Sequence, residues 1–194
     1  MAKITKESTV YVLKICAILL VITMCVAFLL SFVNAVTKDT IAENDAKKVS
    51  EALSGLFPDA SAPTANAIEG EYADKVNGFY EVKDGDTVIG YYADVSPVGF
   101  KGGVNMMVGL DKDGKSVGVK ILSHGETIGI GTKIEDDSFL SKFVGLSGSI
   151  EYKKGANGES GVMDGISGAT YSSKAVIEGV DMALSAYKTA KGGA

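Results

Sequence analysis

Residues 104–122 read VNMMVGLDKDGKSVGVKIL, two apolar runs on either side of a glycine-containing turn. The runs are residues 104–110 and 117–122, and the turn between them is Lys112-Asp113-Gly114. An Asp-Gly pair between alternating apolar runs favours a β-hairpin, because both residues tolerate the left-handed backbone of a tight turn. The stretch therefore predicts two antiparallel strands.

A second hairpin and a closing helix lie on either side of that stretch. Residues 79–83 and 88–95 flank Asp84-Gly85, the same type of turn signal. Near the C-terminus, apolar residues recur at intervals of three and four, as on one face of a helix; they are Val176, Val180, Ala183, Leu184 and Tyr187. Strands followed by a helix predict an α+β domain with antiparallel hairpins and a C-terminal helix.

Shorter segments connect the hairpins to the closing helix. Residues 125–131 have the composition of a glycine-rich loop, and residues 137–144 predict a short helix. Residues 150–152 predict a strand, and residues 155–158 predict the turn after it.

An uncharged apolar segment lies near the N-terminus. Residues 15–37 hold no charged side chain, and this length exceeds the roughly 20 residues that cross a bilayer as a helix. A cleaved signal peptide is the alternative, with Val33-Asn34-Ala35 as a poor cleavage site, but its apolar core would span only about 7–15 residues. The segment therefore predicts a retained transmembrane helix.

The remaining segments are assigned around that helix. Residues 1–14 form a tail, and residues 38–70 are expected to form an amphipathic helix over 41–57 and a linker over 58–70. The apolar stripe of this second helix consists of Ile41, Val49, Ala52, Leu53 and Leu56. Residues 71–194 contain both hairpins and the closing helix and are expected to form the folded domain.

Charge assigns each end of the chain to a side of the membrane. Lys3, Lys6 and Lys14 precede the span against one acidic residue, Glu7, and lysines favour the cytoplasmic side. We therefore expect a single-pass protein of the cytoplasmic membrane, in contact with lipid, with its N-terminus in the cytoplasm and its domain outside. From Lys38 onward 16 lysines oppose 23 acidic residues, and the absence of arginine further argues against nucleic-acid binding.

Few side chains outside the span are suited to metal binding. Both cysteines, Cys16 and Cys25, lie within the span, which excludes a disulfide or a cysteine-ligated zinc or iron–sulfur site in the domain. His124 is the only histidine, which excludes bis-histidine haem and any histidine-rich metal site within one chain. No metal and no catalytic triad is expected, so redox chemistry would require an organic cofactor.

The closing helix is preceded by DGISGATYSS at residues 164–173. Its two glycines and small side chains let the backbone approach a ligand closely, and a helix start offers free amides and a partial positive charge. The segment predicts an anion site, above all for phosphate, with the Thr170 hydroxyl in it and Lys174 one turn further on. The alternative is that Thr170, Ser172 or Ser173 simply caps the helix.

This segment resembles the flavinylation motif of the FMN-binding domain family, which reads D, two residues, S or T, G, A, T. Asp164, Ser167, Gly168, Ala169 and Thr170 match that motif in full register. In the family, a flavin transferase moves the FMN moiety of FAD onto the threonine hydroxyl. The resemblance therefore implies FMN attached covalently, through its phosphate, to Thr170.

Two further segments carry the same resemblance. Residues 124–131, HGETIGIG, are similar to the family loop H-x-E-T-P-G-L-G, with isoleucines at the proline and leucine positions, and residues 99–102, GFKG, resemble G-Y-x-G. The resemblance implies further cofactor-binding residues, which are His124, Glu126, Thr127 and Gly129, and the place of Lys174 one turn into the helix adds it as a candidate to bind the phosphate. The alternatives are a backbone-bonded histidine at 124, a loop carboxylate at 126 and an exposed lysine at 174.

The architecture as a whole resembles the G-subunit family of Rnf-type ion-translocating oxidoreductase complexes. This implies an electron-transfer component of an ion-translocating ferredoxin:NAD oxidoreductase, with the other membrane subunits and a flavin transferase as partners and no substrate chemistry of its own. The alternatives within flavoproteins are the C subunit of a sodium-translocating NADH:quinone oxidoreductase and a stand-alone extracytoplasmic electron carrier. Outside them, the alternatives are a module that binds a free phosphorylated ligand and a scaffold protein of a membrane complex.

Overall fold

The computed structural model describes residues 6–60, 63–68, 76–156 and 161–192, and the chain divides into two compact units, Met1–Lys47 and Lys48–Ala194. Helix α1, Lys6–Leu56, forms the described part of the first unit and enters the second. Its stretch Val10–Leu56 contains a window with a mean hydropathy of 2.9 and no buried residues. By length and composition, α1 is therefore a candidate membrane span.

α1 differs from the prediction of a span and a separate amphipathic helix. The structure shows one helix through residues 38–40, which contain neither proline nor glycine to interrupt it. Ile41, expected on the buried stripe, is 53% exposed, whereas Leu53 and Leu56 are buried. The buried part of the stripe is thus confined to the end of α1.

The unit Lys48–Ala194 is built on a five-stranded antiparallel sheet in the order β1-β2-β3-β4-β5. Its strands are β1 (Pro63–Ala67), β2 (Val76–Asp84), β3 (Thr87–Val95), β4 (Val104–Leu110) and β5 (Ser116–His124). Both predicted hairpins are confirmed, as β2–β3 and β4–β5. The fold is α+β, as the sequence predicts.

A helix covers each face of this sheet. On one face lies α3, Thr170–Ala190, whose Val176, Val180 and Leu184 are buried in the main core with residues of β2 to β5. On the other face, Leu53, Leu56 and Phe57 from the end of α1 form a second buried cluster with strand residues; the strand members are Val82, Tyr92 and Met107. α3 thus packs through the apolar stripe that the sequence predicted for it, whereas α1 buries only the last part of its predicted stripe.

The predicted linker over residues 58–70 is wrong in its central part, because β1 forms there and pairs with β2 from Pro63↔Asp84 to Ala67↔Tyr80. The sequence PTANA contains only small apolar side chains and forms the edge strand of the sheet, so its backbone pairing with β2 accounts for most of its strand conformation.

The connection from β5 to α3 contains short elements. Residues 131–135 form a 3-10 helix, α2 spans Asp137–Leu140 and residues 141–143 form a second 3-10 turn, which confirms the predicted short helix. β6 (Glu151–Tyr152), near the predicted strand, pairs in parallel with β7 (Val162–Met163), a strand that was not predicted. The predicted turn over 155–158 extends outside the described residues after 156.

Candidate functional site

Three segments meet at a cavity of about 380 Å³. They are the loop between β3 and β4, the glycine-rich loop after β5, and the start of α3. The lining residues are Phe100, Glu126, Thr127, Ile130, Gly131, Gly168, Ala169, Thr170, Tyr171 and Ser172. The volume is within the usual range of small-molecule sites, about 300–1,000 Å³.

The start of α3 leaves the hydroxyl of Thr170 free. Gly168 has a left-handed backbone, with φ +85°, and turns the chain into the helix. Ala169 occupies the N-cap position, and no side chain caps the helix. Thr170 is the first helical residue, it is exposed, and its hydroxyl has no hydrogen-bond partner among the described residues.

The serines after Thr170 are committed to internal hydrogen bonds, so the alternative in which one of these hydroxyls caps the helix is wrong. The Ser173 hydroxyl donates to the carbonyl of Ala169 at 2.9 Å and accepts from the amide of Ile166 at 2.9 Å. The Ser172 hydroxyl donates to the carboxylate of Glu126. Both serines are buried, and Thr170 alone of these three presents its hydroxyl to solvent.

Glu126 is a buried carboxylate with three protein donors. Its side chain is 6% exposed. Oε1 accepts from the amides of Phe100 at 2.8 Å and Lys101 at 3.1 Å, and Oε2 accepts from Ser172. Burial alone would raise the pKa of Glu126, but these hydrogen bonds outweigh burial and hold the pKa below its ordinary value. Glu126 is therefore an ionised loop carboxylate.

His124 turns away from the cavity and holds the loop. Its Nδ1 accepts from the amide of Glu126 at 3.1 Å, and its Nε2 lies 3.0 Å from Oε1 of Glu135. An accepting Nδ1 places the proton of a neutral ring on Nε2, which then donates to Glu135. This is the backbone-bonded histidine that the sequence left open as an alternative.

Of the ten site residues named from sequence, five line the cavity: Glu126, Thr127, Gly168, Ala169 and Thr170. The amide of Gly129 donates to the Thr132 hydroxyl at 2.9 Å, and Asp164 accepts from the amide of Gly165 at 2.8 Å. Ser167 is exposed and, like His124, Gly129 and Asp164, does not line the cavity.

Lys174 faces a different cavity of about 280 Å³. The other residues lining this second cavity are Ile150, Glu151, Tyr152, Ile177, Glu178 and Asp181. The first cavity therefore has no lysine in its described lining, and Glu126 is its single charged residue.

Two exposed aromatic rings stand at the mouth of the first cavity, and sequence reasoning did not assign them to the site. Phe100 is 64% exposed and Tyr171 is 69% exposed, with ring centroids 6.2 Å apart and planes tilted by 43°. Phe100 lies within the motif at residues 99–102, and Tyr171 lies within the motif at residues 164–173. Their place within these two motifs was the signal in the sequence that could have assigned them to the site. Only the fold shows that the two rings lie close together.

All the residues that line the first cavity lie within a stretch that matches a known domain family. Residues 99–185 match the FMN-binding domain family. The G subunit of the ion-translocating oxidoreductase complex of Shewanella piezotolerans is 30% identical over 168 residues, covering 80% of this chain and 79% of that protein. The G subunit of the Na(+)-translocating ferredoxin:NAD(+) oxidoreductase complex of Acetobacterium woodii is 30% identical over 192 residues, covering 91% of this chain and 92% of that protein.

The fold also occurs in a solved structure. The C subunit of the Na(+)-translocating NADH-quinone reductase from Parabacteroides distasonis superimposes with a TM-score of 0.56 over 76% of this chain and 92% of that chain, at 20% identity. The similarity to this solved structure shows the fold. The 30% sequence identity to the two G subunits over most of the chain shows the family. The chain belongs to the G-subunit family of ion-translocating oxidoreductase complexes and contains an FMN-binding domain.

Proposed function

We propose that this protein is a membrane-anchored electron-transfer subunit of an ion-translocating ferredoxin:NAD oxidoreductase complex, and that it carries FMN as a phosphoester on Thr170. Family membership supports the complex, and the named activity of the Acetobacterium relative supports the reaction. The observation that carries the attachment site is the exposed Thr170 hydroxyl, without a described partner, at the uncapped start of α3.

The start of α3 fits a phosphate ester. An uncapped helix start offers unpaired backbone amides and the positive end of the helix dipole, both of which favour a phosphate group. Gly168 has no side chain, and the space beside it is open, because nothing lies within 4 Å of the position that a Cβ would take. No lysine lines the cavity in the described residues, so a covalent bond would secure the phosphate without a cationic side chain.

The cavity also fits a planar aromatic ring system. Phe100 and Tyr171 present apolar ring surfaces at its mouth, and Ala169 and Ile130 add aliphatic surface. When bound, FMN would supply one- and two-electron redox chemistry, and the protein would determine where the ring lies. Covalent retention has a physical use outside the cytoplasm, because a dissociated flavin would be lost, whereas a tethered one stays at high effective concentration.

The remaining residues fall into two groups in this proposal. Asp164, Ser167, Gly168 and Ala169 form the pattern that the flavin transferase recognises around Thr170. His124, Glu126, Thr127 and Gly129 form or hold the loop on the opposite wall of the cavity. Lys174 lies at the second cavity, so it contributes to the helix rather than to the phosphate site.

The attachment is tested by replacing Thr170 with valine in the full chain produced with a flavin transferase. Thr170→Val keeps the β-branched shape and removes the hydroxyl, so we expect it to abolish flavin fluorescence in a denaturing gel and leave the fold intact. Thr87→Val is the matched control, because Thr87 is also an exposed threonine but lies outside the motif and the cavity, and it should retain a fluorescent band. Fluorescence in Thr170→Val equal to that of the wild type would refute attachment at Thr170.

A further inference from the structure

We propose that Glu126 is the positioning residue of this site, a buried clamp that holds the Phe100 loop against the first turn of α3 and thereby sets the shape of the cavity beside Thr170. The proposal rests on the proposed flavin attachment and adds to it a residue that acts through the protein rather than by touching the cofactor. Three protein donors take up most of the acceptor capacity of the Glu126 carboxylate, so the protein itself is its main partner.

Both oxygens of Glu126 are occupied from two different segments. Oε1 accepts from the consecutive amides of Phe100 and Lys101, in the loop between β3 and β4. Oε2 accepts from Ser172, in the first turn of α3 and two residues after Thr170. One side chain therefore joins the two segments that carry Phe100 and Tyr171.

Two glycines leave room for this carboxylate. A Cβ on Gly99 would collide with Oε1 of Glu126. A Cβ on Gly131 would lie 2.7 Å from the Cβ of Glu126 and 3.1 Å from Oε2. Neither glycine has a left-handed backbone, so it is space rather than conformation that excludes a side chain at these positions.

The clamp determines the separation of the two aromatic rings at the cavity mouth. Phe100 is the residue whose amide is bound, and Tyr171 precedes the residue whose hydroxyl is bound. Their ring centroids are 6.2 Å apart. Because both rings are largely exposed, the backbone of the two segments and the clamp between them, rather than burial, hold the rings at this distance.

Hydrogen exchange of the flavin-free full chain in detergent tests the clamp without any cofactor. Glu126→Ala removes the acceptor of the Phe100 and Lys101 amides, so exchange of a peptide covering residues 98–104 should become at least about tenfold faster, the factor that corresponds to one hydrogen bond of ordinary net strength. Glu126→Gln should keep exchange near the wild-type rate, because its amide oxygen still accepts and its amide nitrogen can donate to the Ser172 hydroxyl.

The flavin-loaded full chain then separates positioning from direct contact. We expect the visible circular dichroism of the flavin to be lost in Glu126→Ala and retained in Glu126→Gln, with comparable loading of both verified by mass. Gly131→Ala should resemble Glu126→Ala, and Gly125→Ala is its matched control, since the nearest atom to its Cβ would be 3.9 Å away. Equal loss of the signal in Glu126→Gln and Glu126→Ala would show that the charge acts directly and would overturn the proposal.

The two proposals fail in different ways. If wild-type Thr170 is not labelled, the attachment is refuted while the exchange experiment still tests the clamp. If labelling occurs and exchange of residues 98–104 is unchanged in Glu126→Ala, the clamp is refuted while the attachment remains. If Glu126→Ala fails to fold, Ser172→Ala removes one donor and leaves the carboxylate bonded to both amides; an unchanged flavin signal in that variant would overturn the proposal.

Discussion

Thr170 and Glu126 are polar residues of the same site that differ in burial, and this difference indicates different roles. Thr170 is exposed at a helix start, with a hydroxyl that no described residue binds, so it is accessible to chemistry from outside. Glu126 is 6% exposed and accepts three hydrogen bonds, so its carboxylate is used by the protein itself. Both residues lie in glycine-rich motifs of the sequence, and only their surroundings in the fold show that their roles differ.

The carboxylate of Glu126 should make the stability of the domain depend on pH. Burial opposes its ionisation, but the hydrogen bonds from Ser172, Lys101 and Phe100 outweigh burial and lower its pKa in the folded protein. A lowered folded-state pKa stabilises the fold above the unfolded value of about 4.3, and this contribution is lost as the pH falls through the folded value.

We therefore predict that the stability difference between the wild type and Glu126→Gln is constant at neutral pH and decreases below about pH 4. Urea unfolding of both proteins at a series of pH values measures this difference. Glu51→Gln is the control, because Glu51 is exposed and lies outside the cavity. A difference between wild type and Glu126→Gln that does not change with pH would contradict the prediction.

The motif residues could be predicted from sequence because each motif is contiguous. Residues 124–131 and 164–173 contain nine of the ten residues that line the cavity, and five of these, including Thr170, were named from sequence. The pairing of Glu126 with Ser172 could not be predicted, since it joins residues 46 positions apart and depends on how the loop meets the helix. The same reason explains why Phe100 and Tyr171 were not grouped in advance.

At the scale of elements, the end of α1 belongs to the domain and not only to the anchor. Residues 48–56 fall in the compact unit Lys48–Ala194, and Leu53, Leu56 and Phe57 cover one face of the sheet. Without them, Val82, Tyr92 and Met107 would lose part of the apolar cover that buries them. Burial of this kind contributes about 25 cal/mol for each Å² of apolar surface.

We predict that a chain starting at Asp39 is soluble and folded, whereas a chain starting at Pro58 aggregates or unfolds at lower temperature. The reason is that the second truncation removes the helix end that covers the sheet. Size-exclusion chromatography and thermal unfolding of the two chains measure the difference. Equal solubility and equal Tm would show that the sheet does not need the end of α1.

Elements were predictable where their signals were local. The two hairpins and α3 carry turn residues and periodic apolar spacing within a single segment, so pattern alone predicted them. β1 and the β6–β7 pair carry weaker signals, since residues 63–67 contain only small apolar side chains, β6 and β7 have two residues each, and all three strands depend on backbone pairing with another strand. Such pairing depends on tertiary structure, which explains why a linker was predicted at β1.

At the scale of the whole molecule, the proposal requires the flavin domain to lie outside the cytoplasm. The candidate span in α1 and the lysines that precede it support this orientation. This location would also explain a covalently bound cofactor, because a flavin that dissociated outside the cytoplasm would be lost.

We predict that protease added to intact spheroplasts digests residues after the span, while an N-terminal tag stays protected. Immunoblotting for tags at each end measures the two outcomes, and a cytoplasmic protein serves as the control for cell integrity. Protection of the C-terminal tag in spheroplasts, with digestion only in inverted vesicles, would reverse the orientation.

An FMN esterified to Thr170 would add its mass to a single peptide, which peptide mapping of the full chain can locate. Trypsin releases residues 155–174 as one peptide, because Lys154 and Lys174 bound it. For protein made with an active flavin transferase, we predict that tandem mass spectrometry finds the FMN phosphoester increment on this peptide and assigns it to Thr170. An unmodified peptide, or an increment assigned to Ser167, Ser172 or Ser173, would contradict the account.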